Sequence, residues 1–242
     1  MAEADKLIVA LDMSDPKTAI DLVDRLSESV SFFKIGLQLF TAAGPPVVTE
    51  ALRRGCKIFL DLKLHDIPST VTLAAVQAGR LGVHMMTIHT LGGPEMMSRA
   101  RDGVEAAARR EGWEKPTLLG VTILTSMDRQ SLEDVGLRPP LADTVSRLAK
   151  LARQSGMDGV VASPRELKPL RRAGLGDLLF VTPGIRPLGA DAHDQARPTT
   201  PSEAIGEGAD YLVVGRPITA AEDPLEAAHR IVVEMRGARP RA

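Results

Sequence analysis

The sequence predicts an α/β fold, a single-domain (β/α)8 TIM barrel, and three observations carry that prediction. Short apolar runs recur along the whole chain; most are continuous rather than alternating; and segments with helical periodicity lie between them. Continuous runs are the pattern of parallel strands whose two faces are both covered. The 242 residues suit one barrel of this kind. One domain over 1–242 is expected, with 237–242 as a frayed tail.

The first strand candidate, 7–11, is closed by Asp12. The second, 32–35, carries Lys34 inside an apolar run, which is costly unless a carboxylate pairs with it. Asp61 is the expected partner. The third, 58–60, runs into Asp61-Leu62-Lys63-Leu64-His65-Asp66-Ile67-Pro68-Ser69-Thr70. Residues two apart on a strand share a face, so Asp61 and Lys63 project together, with Asp66 in the loop beyond. Three ionisable groups are therefore expected to converge where a core strand opens to solvent.

The fourth candidate, 85–88, ends at His89, and the fifth, 118–124, is flanked at its end by Thr122 and Thr125. Leu141, Val145, Leu148 and Leu151 are spaced as one helical face. The sixth strand is 159–162, the seventh 178–182 and the eighth 211–214. A last helix over 225–235 follows Pro224, which suits a first helical turn. Periodicity cannot show closure, so a doubly wound open sheet is the alternative; the lack of a Gly-x-Gly-x-x-Gly turn after the first strand weighs against its dinucleotide-binding version.

Thirty basic residues against 31 acidic ones, with 3% aromatics, argue against a nucleic-acid surface, which needs a basic stripe or stacking rings. Cys56 is the single cysteine, so no internal disulfide is expected. The N-terminus lacks a signal-peptide pattern, and no apolar run approaches the ~18 residues that span a bilayer. A cytoplasmic protein without a membrane partner is expected.

In a barrel, the site lies at the C-terminal ends of the strands, and phosphate is often held after strands seven and eight. Strand seven runs into Pro183-Gly184-Ile185-Arg186 and then a long polar loop over 188–201 containing Gln195. Strand eight runs into Gly215-Arg216-Pro217. Gly215 would let a ligand approach the backbone, and Arg216 offers an anion a planar fork. Either loop alone could be a turn with solvated arginines. Together, they point to a phosphate site with a loop long enough to close over it.

At this point the residues resemble the orotidine 5′-phosphate decarboxylase family. The stretch 61–70 carries the resemblance, joined in order by Ala10-Leu11-Asp12, Phe33-Lys34-Ile35-Gly36, Leu124-Thr125-Ser126-Met127, Pro183-Gly184-Ile185-Arg186, Asp194-Gln195-Ala196-Arg197 and Val214-Gly215-Arg216-Pro217. Ser69 departs from the Asn that many members carry. The resemblance implies a homodimeric barrel that converts orotidine 5′-monophosphate to UMP and CO2 in de novo pyrimidine synthesis, without metal or organic cofactor.

By position, the resemblance makes Lys63 the proton donor to C6 and Lys34, Asp61 and Lys63 a charge array, completed by Asp66 of the partner subunit. Asp12 and Lys34 would hold ribose hydroxyls, and Ile67 and Thr70 would also reach the neighbouring site. Thr125 or Ser126 would read the pyrimidine, while Gln195, Gly215 and Arg216, with Pro183 and Arg186 nearby, would hold the phosphate.

Such chemistry leaves a carbanion in the ring plane at C6, and the sequence has no pyridoxal-type or flavin motif to act as an electron sink. Preorganised charge must stabilise it instead. One alternative is a magnesium-dependent sugar-phosphate lyase or synthase of the same barrel type, with His89, Asp61 and Asp66 as metal ligands. Another is a non-catalytic nucleotide-binding protein on the same fold, which would have no reason to keep Lys34, Asp61, Lys63 and Asp66 together.

Overall fold

The structure, a computed structural model, describes residues 3–137, 140–187 and 199–237. Eight parallel strands close into a barrel in sequence order, β8 pairing with β1, so the open-sheet alternative is excluded. The elements run β1 (Leu7–Ala10), α1 (Pro16–Leu26), β2 (Phe32–Gly36), α2 (Leu37–Ala43), α3 (Pro45–Arg53), β3 (Lys57–Leu64), α4 (Pro68–Arg80), β4 (Met85–His89) and α5 (Gly93–Glu111). They continue with β5 (Thr117–Val121), α6 (Arg129–Asp134), α7 (Leu141–Gln154), β6 (Gly159–Val161), α8 (Pro164–Arg172), β7 (Leu179–Thr182), α9 (Pro201–Gly206), β8 (Tyr211–Val214), α10 (Arg216–Thr219) and α11 (Pro224–Arg236).

Alternation on the strands divides the apolar residues into two cores. Ile8, Ala10, Phe32, Phe59, Met85, Leu119, Val181 and Val213 fill the barrel interior. Leu7, Val9, Phe33, Ile58, Leu60 and Phe180 face outward, packed with buried helix residues such as Leu22, Val48, Met97 and Leu148. Both faces of each strand are buried, which is why the strands read as continuous apolar runs.

Local chemistry starts the helices. Asp15 accepts hydrogen bonds from the Lys17 and Thr18 N–H groups ahead of α1, with Pro16 at its first position. Asp223 does the same for α11. The face read from Leu141, Val145, Leu148 and Leu151 lies on α7, where Val145 and Leu148 are buried. Among the described residues, no helix is long and apolar enough to cross a membrane.

Two strands differ from expectation by more than one residue at an end. β5 ends at Val121 rather than Leu124, because the chain turns at Leu124–Met127, where the Met127 N–H bonds the Leu124 carbonyl. β3 runs on through Asp61 to Leu64. Its register slips there: Leu60 pairs with Met86 and Leu64 with Ile88. The longer path of β3 between those pairs is a bulge, a device that re-aims side chains.

Candidate active site

The parallel register explains how the charged groups meet. Lys34 points into the barrel between Ala10 of β1 and Phe59 of β3, its register partners. Asp61 stands two residues further along β3, and Asp12 two residues beyond Ala10, past the end of β1; both lie nearer the barrel mouth. The lysine stem rises past the apolar layer, and its ammonium meets both carboxylates. Nζ lies 2.8 Å from Asp12 Oδ1 and 3.7 Å from Asp61 Oδ2. Asp12 is thus the nearer partner, whereas the sequence pointed to Asp61 alone; β2 is flanked on both sides, and each neighbour supplies a carboxylate.

Gly36 occupies the level of Asp61 on β2. A Cβ there would lie 2.9 Å from Lys34 Nζ and 3.1 Å from Asp12 Oδ1. The missing side chain is the space that the ammonium fills.

Lys63 sits in the bulge with φ +52°, the only positive φ among the described non-glycine residues. That conformation is disfavoured for an L residue. From it, Nζ reaches Asp61 Oδ2 at 2.8 Å. Asp61 Oδ2 therefore takes two ammonium groups, while Oδ1 accepts the Thr87 hydroxyl at 3.0 Å. Lys34 and Asp61 are only 7% and 8% exposed, and charges so buried persist because each has opposite charge and hydrogen bonds around it.

Asp66, Ile67 and Thr70 do not join this array within the chain. They are exposed at the start of α4, and Asp66 accepts the Ile67 N–H at 2.6 Å. The expected convergence of three ionisable groups is thus corrected to Asp61, Lys63 and Lys34, because the chain turns away at the end of the bulged strand. His89 stacks on His65 with ring centroids 5.3 Å apart. Burial first, and then the charges of His65 and Lys63, push His89 below the usual histidine value. Among the described residues, no three His, Cys, Asp or Glu side chains are placed to hold a metal ion.

The array forms one wall of a cavity of about 530 Å³ at the C-terminal mouth of the barrel. Val121, Ile123 and Val161 give it an apolar side, and Pro183, Gly184, Arg186, Gly215 and Arg216 close the far end. Thr125 lines the cavity, whereas Ser126 is not among the lining residues. Arg186 is buried and donates through Nη1 to the Ile185 carbonyl at 2.9 Å. Burial first, and then the neighbouring Arg216 guanidinium, hold Arg186 below the usual arginine value. Two cations facing one space favour an anion between them.

A family model for the orotidine 5′-phosphate decarboxylase / HUMPS family matches residues 5–231. The chain belongs to this family. Orotidine 5′-phosphate decarboxylase from Syntrophotalea carbinolica is 52% identical over 96% of both chains. The same enzyme from Moorella thermoacetica is 49% identical over 97% of this chain and 94% of its own. The crystal structure of orotidine 5′-phosphate decarboxylase from Lactobacillus acidophilus superposes with a TM-score of 0.84 at 41% identity, covering 96% of this chain and 99% of that one.

For this family member, sequence reasoning located most of the cavity wall, but several positions came only from the structure. Gly36, Gln38 and Ile123 line the cavity, and Thr87 binds the array from β4. Gly36 had a signal in the sequence, since it directly follows Phe33-Lys34-Ile35; Thr87 becomes visible through register, and Gln38 and Ile123 only in the folded chain. Gln195 and most of the 188–201 loop lie outside the described residues, as do 238–242 of the tail. The loop's described ends are tied together, with Ile185 bridging Thr199 and the Arg186 N–H bonding the Thr199 carbonyl at 3.0 Å.

Proposed function

We propose that this protein decarboxylates orotidine 5′-monophosphate to UMP and CO2 in de novo pyrimidine synthesis. The observation that carries the reading is the buried Lys34–Asp61–Lys63 array facing, across one cavity, the paired guanidiniums of Arg186 and Arg216. A volume near 530 Å³ is in the range of small-ligand sites. The family and its relatives support the same substrate.

The C6–carboxylate bond breaks, its electron pair stays on C6, and CO2 leaves. The Lys63 ammonium stands beside that carbon and stabilises the charge as it grows, then transfers a proton to it. Asp61 fixes the Lys63 side chain and sets a negative charge against the substrate carboxylate. Asp61 is held by Lys34, Lys63 and Thr87, so it cannot swing aside to relieve that repulsion. Asp12 and Lys34 hold the ribose hydroxyls, and Thr125 reads the pyrimidine. Pro183, Arg186, Gly215 and Arg216 hold the phosphate, together with Gln195.

The enzyme works as a cytoplasmic homodimer in this reading. Asp66, Ile67 and Thr70 enter the partner's site, with Asp66 completing the alternation of charge there. Their exposure supports this: Ile67 and Leu73 are 64% and 66% exposed and leave apolar surface at the start of α4 for a second copy to cover.

The test is ultraviolet loss of orotidine 5′-monophosphate with protein dialysed against EDTA. Turnover that Lys63→Ala abolishes is expected. No turnover, with magnesium-dependent activity on a sugar phosphate instead, would overturn the reading.

A further inference from the structure

We infer that Thr87 is a positioning residue for decarboxylation, its hydroxyl locking the backbone of Lys63 and the carboxylate of Asp61 into one rigid unit. The inference rests on the proposed reaction. Thr87 Oγ1 accepts the Lys63 N–H at 2.9 Å and donates to Asp61 Oδ1 at 3.0 Å. Asp61 Oδ2 in turn accepts from Lys63 Nζ at 2.8 Å. Lys63 backbone, Thr87 hydroxyl, Asp61 carboxylate and Lys63 ammonium thus form a closed ring.

A hydroxyl is suited to the place because it accepts and donates at one atom, whereas an ionised carboxylate only accepts. The bulge gives the ring a reason to exist. Lys63 holds φ +52°, a conformation that persists only when its surroundings enforce it. The Thr87 bond to the Lys63 N–H is one such enforcement, applied at the strained residue. β-branching stiffens χ1, and Thr87 is 0% exposed, so its oxygen has nowhere else to go. Strand packing alone does not call for this hydroxyl; a valine would fill β4 as well, and burying a hydroxyl is unfavourable unless it is bonded.

The experiment compares Thr87→Val with Thr87→Ser in the full-length enzyme. Steady-state kinetics, UMP affinity and the hydrogen exchange of the Lys63 amide are read on folded protein. Loss of the ring displaces Lys63 from C6, and misplacement of about 1 Å costs on the order of 100-fold. We expect kcat to fall roughly 10- to 100-fold in Thr87→Val, with UMP affinity held and the Lys63 amide exchanging faster. Thr87→Ser is expected to restore both kcat and amide protection. If the valine variant does not fold, Thr87→Ala takes its place.

A folded Thr87→Val with parental kcat, or a serine variant as impaired as the valine one, would overturn the inference. A parent enzyme inactive on orotidine 5′-monophosphate would instead sink the proposed reaction. The amide exchange would then still decide the ring: faster exchange in Thr87→Val but not in Thr87→Ser upholds it, and equal exchange overturns it.

Discussion

The two ends of the cavity are built on opposite electrostatic plans. At the β1–β4 end, every charge has its counter-charge: Lys34 sits between Asp12 and Asp61, and Lys63 closes on Asp61. At the β7–β8 end, Arg186 and Arg216 face one another with like charge. The charges of the first end are paired within the chain before a ligand arrives. The second brings two like charges to one space, which favours an anion there. In the proposed reading the difference separates two tasks: a rigid array acts on the reacting carbon, and the two arginines supply binding energy at a distance from it. Binding energy gained remote from the reacting bond can drive orientation and desolvation at that bond.

The largest expected effect tests whether the β1–β4 end is complete within one chain. Lys63→Ala and Asp66→Asn are each expected to lower kcat by roughly 1000-fold or more. Mixing the two homodimers after dissociation and reassociation should return about one quarter of parental activity, because half the dimers are mixed and one site in each is whole. No recovery from verified mixed dimers would show that Asp66 does not act across the interface.

Arg216→Ala probes the other end. It should lower kcat/KM by about 3 kcal/mol, since a charge-assisted fork to phosphate is lost in a water-poor site. A substrate analogue lacking the phosphate should bind parent and variant alike; a phosphate-free analogue that distinguished them would place Arg216 elsewhere in recognition.

Gly36→Ala should separate activity from stability. The new Cβ displaces the Lys34 ammonium, so kcat falls on the order of tenfold through misplacement. Alanine is less flexible than glycine when unfolded, which offsets part of the crowding and leaves thermal stability nearly unchanged. A large drop in the melting midpoint would show that the array holds the fold together as well.

The smallest effect is a control lying outside both ends. Glu166 closes the capping box of α8 by accepting the Ser163 N–H. Burial raises its carboxyl to about 7. Between pH 4.5 and 7 the folded chain holds a proton there that the unfolded chain has lost, so stability falls as pH rises through that window. Glu166→Gln should remove a stability change of roughly 2 kcal/mol between pH 5 and 7.5, measured by denaturant titration at those two values, with kcat unchanged.

The barrel was legible in the sequence because helices bury both faces of each strand and leave unbroken apolar runs. Asp12, Asp61 and Arg216 were legible because charge beyond or near a strand end stands out against such runs, and Lys34 because it interrupts one. The bulge was not. A lysine at positive φ carries no signature in its own letter, and the slip shows only when β3 is laid against β4. Thr87 was hidden for the same reason: inside Met85–His89 it reads as a β-branched core residue until its register places it beside Asp61. Asp66 lies in the stretch the sequence singled out but stands exposed, away from the array of its own chain, since a strand's alternation says nothing about the turn that follows.

The tie between Ile185 and Thr199 has a consequence for how this chain can change over time. Clasping two positions fixes where the chain between them begins and ends, and doubling the length of a segment closed in that way raises its closure entropy cost by only about 0.6 kcal/mol. Insertions and deletions beyond Arg186, whose own N–H bonds the Thr199 carbonyl, leave the barrel staves and that arginine where they are. Lineages of this fold can therefore vary what lies between these two ties nearly independently of the array across the cavity, and grafting between relatives is best cut between Arg186 and Thr199.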